Sequence, residues 1–237
     1  MTKVFAVNGS PTMEKGDTAL LLNVFLQGME DAGADAALHY ASKLDLKPCS
    51  CGQMYCWYQN PGECCVQDEF QTLYPSLKAS DILVLATPVY IPLPGRMQDV
   101  MNRLCPLIKP KLAFREGRTR AESHSAFNIK KIVLVSVGGW WELENFDTVV
   151  RIVRDFSETA GVEFSGPVLR PHSFLMYDET GMTAAGTAVL EAARKAGHQL
   201  VAEGSIDSET LAAISRPLVP EAELRARYNK AIERFPK

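Results

Sequence analysis

A chain of 237 residues is long enough to bury a substantial hydrophobic core without disulfide or metal staples. Its composition, with 46% hydrophobic and 22% charged residues, is typical of a soluble globular protein, and its net charge of -3 gives no reason to expect nucleic acid or a membrane as partner. The N-terminal apolar run is too short for a signal peptide and no apolar run reaches bilayer-spanning length, so we expect a cytoplasmic protein.

Apolar runs and amphipathic segments alternate along the chain. The predicted elements, in chain order, are a strand over residues 3–9, a helix over 17–33, a strand over 34–46, a helix over 68–81, a strand over 81–90, a helix over 94–106, a strand over 131–139, a helix over 145–161, a strand over 162–171 and a long helix over 182–204. Within the helix over 68–81, Pro75 predicts a kink or an early end. Strands that alternate with helices predict an α/β fold, in which a parallel sheet has helices on both faces.

Three segments lie outside this alternation. Residues 48–65 form a loop that holds five of the six cysteines. Residues 109–131 are polar with a local excess of Lys and Arg, which predicts a solvated excursion, the alternatives being a subunit contact or a clamp on a substrate phosphate. Residues 205–237 predict a C-terminal extension of one or two packing helices. Because no repeat or linker divides the chain, we expect a single domain over residues 1–237.

The loop after the first predicted strand has the features of an anion site. It offers the hydroxyls of Ser10, Thr12 and Thr18, a flexible Gly16, and a helix N-terminus near Asp17 or Thr18. It lacks both the Gly-Lys-Ser/Thr of a P-loop and a G-x-G-x-x-G fingerprint. A cradle of hydroxyls and amides without its own cation suits a terminal phosphate that carries no magnesium, for which FMN is the candidate. The alternative is an ordinary βα loop with Asp17 as helix cap.

Two later strand ends combine stiff or small residues with aromatic ones. Residues 87–90 place proline beside Tyr90, which predicts an apolar wall for a flat ring, with backbone N–H groups after it to meet the polar edge of the ring. Residues 138–141 place two glycines, which permit close backbone approach, before Trp140 and Trp141. Taken singly, each aromatic residue is more often a packing residue. Together with the first loop, they predict a flavin mononucleotide site.

These motifs follow one another in a recognisable order. The chain contains Gly9-Ser10-Pro11 with Gly16-Asp17-Thr18, then the cysteine run between Pro48 and Glu69, then Thr87-Pro88-Val89-Tyr90, and then Asn102-Arg103. This order of motifs resembles that of the flavodoxin-like NAD(P)H-dependent FMN reductases, in particular the multimeric flavodoxin branch that includes the iron–sulfur flavoproteins. The resemblance runs from residue 3 to about residue 140. It implies a flavodoxin-like three-layer fold with a five-stranded parallel sheet of order 2-1-3-4-5, FMN at the carboxyl edge, and pairing into a homodimer or homotetramer that brings each flavin near a neighbour.

Carried over position by position, the resemblance assigns three groups of residues to the cofactor. The phosphate would be held by Ser10, Thr12, Gly16, Asp17 and Thr18; the isoalloxazine ring would be flanked by Pro88, Val89 and Tyr90 and closed on its other side by Gly138, Gly139 and Trp140. Two departures from the family pattern are present. Asp17 stands where the family often has Asn, and it could serve as a cap that points away from the phosphate. Gln98 and Asn102-Arg103 stand where Lys and then Asp-Arg are usual, so the role of Arg103 stays open.

The resemblance implies that NADH or NADPH reduces bound FMN, which then passes electrons to a small acceptor: a quinone, a nitro- or azo-aromatic, a flavin or a metal ion. Tyr90, Trp140 and Trp141 would favour flat acceptors. The sequence identifies no catalytic acid; His124 and His172 are candidates by residue type only. Two alternatives stay open: a flavodoxin-like electron carrier, with or without an iron–sulfur cluster, and a non-enzymatic thiol- or metal-binding protein on the same scaffold.

The cysteines decide between a metal site and a metal-free loop. The iron–sulfur flavoproteins use a run resembling C-x2-C-x2-C with a fourth cysteine a few residues later, because each thiolate must reach a different iron of one small cube. Here Gln53 falls where the middle cysteine is expected. We therefore expect reduced, metal-free thiols near the flavin, with an iron–sulfur cluster, zinc or a reversible disulfide as alternatives. The possible cluster ligands are Cys49, Cys51, Cys56, Cys64 and Cys65.

Overall fold

The computed structural model describes residues 1–52 and 54–233. Gln53, on which the argument against an iron–sulfur cluster rests, lies outside the described residues. The strands are β1 (Lys3–Asn8), β2 (Asp35–Tyr40), β3 (Ile82–Pro88), β4 (Ile108–Arg115), β5 (Arg118–Ser123), β6 (Lys131–Val137), β7 (Glu163–Arg170), β8 (Tyr177–Asp178) and β9 (Gly181–Met182). The α-helices are α1 (Asp17–Asp31), α2 (Tyr55–Tyr58), α3 (Tyr74–Ala79), α4 (Gly95–Arg103), α5 (Asp147–Ala160), α6 (Ala184–Ala202), α7 (Ser208–Ser215) and α8 (Glu221–Ile232).

Five strands form the central sheet. Their order is β2-β1-β3-β6-β7, and every neighbouring pair is parallel. With β6 and β7 counted as the fourth and fifth strands of the sheet, this is the expected order 2-1-3-4-5, and the flavodoxin-like α/β fold is confirmed. The three inner strands are almost entirely buried because helices cover both faces of the sheet, which is why their sequences are nearly continuous apolar runs.

The side chains of the strands alternate between two hydrophobic layers. On one face, Phe5 and Leu83 pack with α3, α4 and α5; on the other face, Ala6 and Val84 pack with α1, α6 and α7. Helices α1 and α6 approach closely at Gly28, where an added Cβ would lie 1.8 Å from the Arg194 carbonyl oxygen. No helix within the described ranges combines the length and the apolar character needed to cross a membrane.

Two sequence expectations are corrected by the structure. The segment expected as a solvated excursion over residues 109–131 contains an antiparallel hairpin of β4 and β5, in which Arg115 pairs with Arg118 across a two-residue turn. The helix expected over residues 68–81 is two short elements, a 3-10 turn at Glu69–Leu73 and then α3. Pro75 lies in the first turn of α3, where its missing N–H costs nothing, and so it neither kinks nor ends a helix.

A buried ion pair closes the base of the cysteine-rich loop. The guanidinium of Arg103 at the end of α4 contacts Asp68 at 2.5 and 3.0 Å, and both side chains are fully shielded from solvent. The same guanidinium donates to the carbonyl oxygens of Lys47 and Val66, at the two ends of the loop. Arg103 therefore holds the loop against α4, which is the role that the sequence left open.

Candidate functional site

The phosphate loop follows β1 at the carboxyl edge of the sheet. Asn8 is buried; its Oδ1 accepts a hydrogen bond of 2.8 Å from the Ser10 amide, while its Nδ2 has no partner within the described part of the chain. The hydroxyl oxygens of Ser10 and Thr12 lie 2.9 Å apart. Gly16 precedes α1, and a Cβ added there would lie 2.0 Å from Thr12 Oγ1. The loop is thus a small polar cradle that only glycine can close at this point.

Two members of the predicted phosphate site have side chains that are bonded elsewhere or buried. The Asp17 carboxylate accepts a hydrogen bond of 2.6 Å from the hydroxyl of Ser173, which follows β7. Asp17 therefore ties α1 to the end of β7, and the expectation that it could cap the helix is wrong, because Gly16 occupies the N-cap position and no side chain bonds there. The Thr18 side chain is buried, so its backbone amide at the helix N-terminus is the donor that it offers.

A cavity of about 530 Å³ adjoins the phosphate loop. It is lined by Gly9 and Pro11 from that loop, by Tyr90 and Ile91 after β3, and by Arg96 in α4. Arg96 is the cation that the sequence analysis did not identify beside the phosphate loop; one of its N–H groups donates to the Leu46 carbonyl oxygen at 2.5 Å. No motif marks this residue, because a single arginine in the first turn of a helix is ordinary.

A second cavity, of about 460 Å³, shares Tyr90 and Ile91 with the first and extends to the loop after β6. We call it the aromatic cavity. Tyr90 is 52% exposed and Trp140 is 65% exposed, both large fractions for aromatic residues, which usually bury most of their surface. Its lining residues are Val89, Tyr90, Ile91, Gly138, Gly139, Trp140, Asn145, Phe146 and Tyr228. The structure thus brings most of the predicted ring-binding residues to one cavity; Pro88, at the end of β3, lies beside it in sequence but is not in this lining.

The backbone donors beside the aromatic cavity are fewer than the sequence suggests. The Val89 amide donates to the Val137 carbonyl oxygen at 2.9 Å, and the Tyr90 amide donates to that of Pro92 at 2.8 Å. The amides of Ile91, Gly139 and Trp140 have no acceptor in residues 1–52 and 54–233. The loops therefore leave these three amides available to the polar edge of a ring.

The residues of this edge fit FMN on three observations. The phosphate loop has an unpartnered buried donor, Asn8 Nδ2, and a cradle that a Cβ at Gly16 would fill. The aromatic cavity is apolar and open to solvent, as a flat ring requires. Tyr90 and Ile91 line both cavities, so the cavity beside the phosphate loop and the aromatic cavity both border the loop that follows β3.

Trp141 does not line the aromatic cavity. Its indole Nε1 donates a hydrogen bond of 2.9 Å to the carbonyl oxygen of Val219, just before α8, so Trp141 anchors the C-terminal extension. The aromatic residue that takes its expected place is Tyr228 of α8, which the sequence analysis did not single out. Its position depends on how the last helix folds back, which no local pattern shows.

Neither candidate histidine is placed to transfer a proton in the cavity. His124 lies at the cysteine-rich loop, where a Cβ added at Gly62 would be 2.7 Å from its ring. His172 is fully buried after β7, and its Nε2 contacts Arg170 Nη2 at 2.8 Å and accepts from the Leu218 amide at 3.0 Å. Burial, with a smaller contribution from the charge of Arg170, lowers the pKa of His172 to about 4, so His172 is neutral at pH 7.

The six cysteines are all free thiols. The sulfur atoms of Cys49 and Cys51 lie 3.9 Å apart, and Cys51 also interacts with the thiols of Cys56 and Cys65. Cys105, which follows α4 and was not part of the predicted set, hydrogen-bonds to Cys56; that bond lowers the pKa of Cys105 and raises the pKa of Cys56. Among the described residues, no group of three or more Cys, His, Asp or Glu side chains is arranged to hold a metal ion.

The fold and this site define a class, an α/β protein that can hold a nucleotide-like cofactor at the carboxyl edge of its sheet. A family comparison makes the identification specific: residues 2–155 match the model of the NADPH-dependent FMN reductases, and the chain belongs to that family. The resemblance seen in the sequence is confirmed. The enzyme class that this family implies is an NAD(P)H-dependent flavin oxidoreductase.

Individual relatives are more distant. The chain is 28% identical over 106 residues to an iron–sulfur flavoprotein of Methanocaldococcus jannaschii, a match that covers 44% of this chain and about half, 53%, of that protein. An NAD(P)H:quinone oxidoreductase from Methanothermobacter marburgensis has a similar fold, with a TM-score of 0.57 and 14% identity over 84% of this chain and 96% of that one. An FMN-dependent NADH-azoreductase from Bacillus anthracis, solved with FMN, gives a TM-score of 0.56 and 14% identity over 86% and 100% of the two chains.

Proposed function

We propose that the protein is an FMN-dependent NAD(P)H oxidoreductase that delivers electrons to a flat small-molecule acceptor of the quinone, nitro-aromatic, azo-aromatic or flavin class. The observation that supports the proposal most directly is the pair of adjoining cavities, one beside a phosphate cradle and one lined by exposed aromatic residues. A metal ion as acceptor stays the less favoured form of the proposal, because the aromatic cavity is lined mainly by apolar residues.

Bound FMN would supply the chemistry of hydride acceptance and onward electron transfer. The part of the chain is to bind and orient. In the proposal, the hydroxyls of Ser10 and Thr12, the amides at Gly16 and Thr18 and the Asn8 amide group hold the phosphate. Asp17 stays bonded to Ser173 and so keeps its carboxylate directed to the end of β7.

The ring would lie in the aromatic cavity, with Val89 and Tyr90 on one side and Gly138, Gly139 and Trp140 on the other. A carbon substituent at Gly138 would meet the ring of Phe146 at 2.8 Å, so glycine keeps this loop close to its support. Because the nearest histidines are buried and neutral or lie elsewhere, the proposal gives the protein no catalytic acid or base. Oxygen and nitrogen atoms of the acceptor would take their protons from solvent, to which the cavity is open.

FMN uptake is first measured by fluorescence titration while the purified protein is loaded. The FMN-loaded protein is then mixed anaerobically with NADH and, separately, with NADPH, and the visible absorption of the flavin is followed. We expect stoichiometric FMN uptake and bleaching by at least one nicotinamide. A protein that takes up no FMN refutes the proposal and leaves a thiol- or metal-binding role. A protein that binds FMN but is not bleached by either nicotinamide is an electron carrier.

Three further features belong to the same proposal. The thiols of the cysteine-rich loop are reduced and metal-free, and the iron and zinc content of the purified protein tests this. The functional unit is a homodimer or homotetramer, consistent with the full exposure of Ile91 and the strong exposure of Trp140 beside the cavity. The protein acts in the cytoplasm as one domain over residues 1–237.

A further inference from the structure

Helix α8 does not pack like the helices that cover the central sheet. Its described residues bury only Leu224, whereas α1 buries eight residues against the sheet. Two backbone hydrogen bonds hold the segment before it: the Val219 carbonyl oxygen accepts from Trp141 Nε1 and the Leu218 amide donates to His172 Nε2. The helix is therefore positioned from the carboxyl edge of the sheet rather than by its own apolar face.

This placement brings Tyr228 to the aromatic cavity. Its ring packs edge-on against Phe174, with the ring centroids 5.7 Å apart and the planes at 75°. Its hydroxyl lies on the side of Gly139, where an added Cβ would be 3.5 Å away. Tyr228 is 43% exposed, and its side chain lines the aromatic cavity instead of being buried in the protein interior.

Three aromatic rings from three separate elements thus surround one opening. Tyr90 follows β3, Trp140 follows β6 and Tyr228 comes from α8. A smaller cavity of about 220 Å³ is also lined by Trp140 and Tyr228, so these two residues border both cavities. The charged residues near α8, Glu142, Glu221 and Arg225, line only the smaller cavity.

We propose that Tyr228 is a specificity-determining residue, the third aromatic wall against which a flat, uncharged, fused-ring acceptor lies. The inference rests on the proposed function and deepens it, because it assigns the choice of acceptor to the C-terminal extension. Tyr228 supplies a face for stacking and no charge, so it stabilises extended uncharged ring systems more than small or highly charged acceptors. Tyr228 lines the aromatic cavity and not the cavity beside the phosphate loop, so its truncation should weaken FMN binding less than it weakens the binding of a stacked acceptor.

The test compares Tyr228→Ala, Tyr228→Phe and a matched control, Tyr58→Ala, which removes an exposed tyrosine from the cysteine-rich loop. The FMN-loaded proteins are assayed with 2-methyl-1,4-naphthoquinone and with ferricyanide, which needs no ring contact. Binding of the quinone to the oxidised protein is measured separately by equilibrium dialysis without reductant. FMN affinity is measured by fluorescence titration.

We expect Tyr228→Ala to raise both the KM and the dissociation constant of the naphthoquinone about tenfold, the upper range of one lost aromatic contact. The same substitution should raise the dissociation constant of FMN and the KM of ferricyanide by a clearly smaller factor than the two quinone values. Tyr228→Phe should restore the quinone values, and Tyr58→Ala should not change them. A merely structural role for α8 would instead alter FMN affinity and both acceptors together.

Three results overturn the inference and are distinguishable. If the wild type binds FMN and is reduced by a nicotinamide, but Tyr228→Ala leaves the quinone KM and dissociation constant unchanged, the inference alone is wrong. If the wild type takes up no FMN or is not reduced, the proposed function is wrong and the inference is overturned with it. A loss shared equally by quinone, ferricyanide and FMN binding also overturns it.

Discussion

The buried pair of Asp68 and Arg103 provides the sharpest test of the structure. Asp68→Asn preserves the size of the side chain but removes the negative charge that faces the Arg103 guanidinium at 2.5 and 3.0 Å. Both side chains are fully shielded from solvent, so the cation left behind cannot be hydrated. Removing one member of such a buried pair costs about 3–5 kcal/mol in the free energy of unfolding, and we expect a loss in that range.

The size of the expected loss in the free energy of unfolding also depends on the other hydrogen bonds that the Asp68 carboxylate accepts. Asp68 also accepts hydrogen bonds from the backbone amides of Lys47 at 2.9 Å and Gln71 at 3.1 Å. An asparagine has one carbonyl oxygen in place of two carboxylate oxygens. It can therefore accept from only one of these two amides, and it carries no negative charge. The matched control is Asp31→Asn, which breaks a two-point ion pair with Arg194 on the surface, where solvent screens both charges.

The assay is urea unfolding followed by far-UV circular dichroism at one fixed FMN concentration, since bound ligand adds its own stabilisation. Asp68→Asn should lower the midpoint strongly at an unchanged slope, and Asp31→Asn should leave it within experimental error. An Asp68→Asn variant within about 1 kcal/mol of the wild type, the range of surface pairs, would refute the burial argument.

The pH dependence supplies the sign of the effect. Burial acts to raise the pKa of Asp68, but the hydrogen bonds from Arg103 and the Lys47 amide outweigh it, and the pKa is lowered. A carboxyl whose folded pKa is depressed stabilises the fold above its unfolded pKa of about 3.9 and loses that contribution as the pH falls through the folded value. The gap between wild type and Asp68→Asn should therefore be constant from pH 7 to pH 5 and narrow below pH 4.

Two further predictions concern the phosphate loop and the thiols. Gly16→Ala should weaken FMN binding at least tenfold in a fluorescence titration, because the new Cβ would displace Thr12. The control Gly52→Ala should leave the FMN affinity unchanged, because its new Cβ would have no neighbouring atom within 4 Å. Equal FMN affinities of the two variants would contradict the role of Gly16 in the phosphate cradle. Iodoacetamide should modify Cys105 with a midpoint pH below the ordinary thiol pKa of about 8.5, because the hydrogen bond to Cys56 lowers the pKa of Cys105. In Cys56→Ala, peptide mass spectrometry should show that this midpoint moves to higher pH. A midpoint that does not move would contradict the pairing of the two thiols.

The sheet could be predicted from sequence because its inner strands are covered on both faces. In β1, β3 and β6 nearly every side chain is buried, so these strands appear as uninterrupted apolar runs between turn residues. The hairpin of β4 and β5 was missed for the opposite reason. Its outer side chains Leu112 and Phe114 are exposed, its flanks are charged, and its turn is Glu116-Gly117, with both residues at positive φ. Asn-Gly or Asp-Gly would have signalled such a turn; Glu-Gly does so weakly.

The candidate site divides along the same line between local and distant contacts. The three strand-end loops were predictable because parallel strands bring their carboxyl ends to one edge. The contact of Asp17 with Ser173 joins residues 156 positions apart, and the thiol contact of Cys56 with Cys105 joins two separate elements. Neither contact has a local pattern, since each side chain looks like an ordinary loop or cap residue until the chain is folded.

An arginine at the end of β7 acts with Trp141 and His172 to set the position of α8 over the aromatic cavity. The buried guanidinium of Arg170 donates to the carbonyl oxygens of Ile214 at 2.7 Å, in the last turn of α7, and of Arg216 at 3.0 Å, just after that helix. Burial lowers the pKa of Arg170 to about 10, so it remains a cation and its carbonyl acceptors must stay in place around it. The Nε2 atom of the neighbouring His172 then accepts a hydrogen bond from the Leu218 amide. A buried charge therefore fixes the direction in which the extension leaves the sheet, which places Tyr228 at the cavity although its helix buries only one side chain of its own.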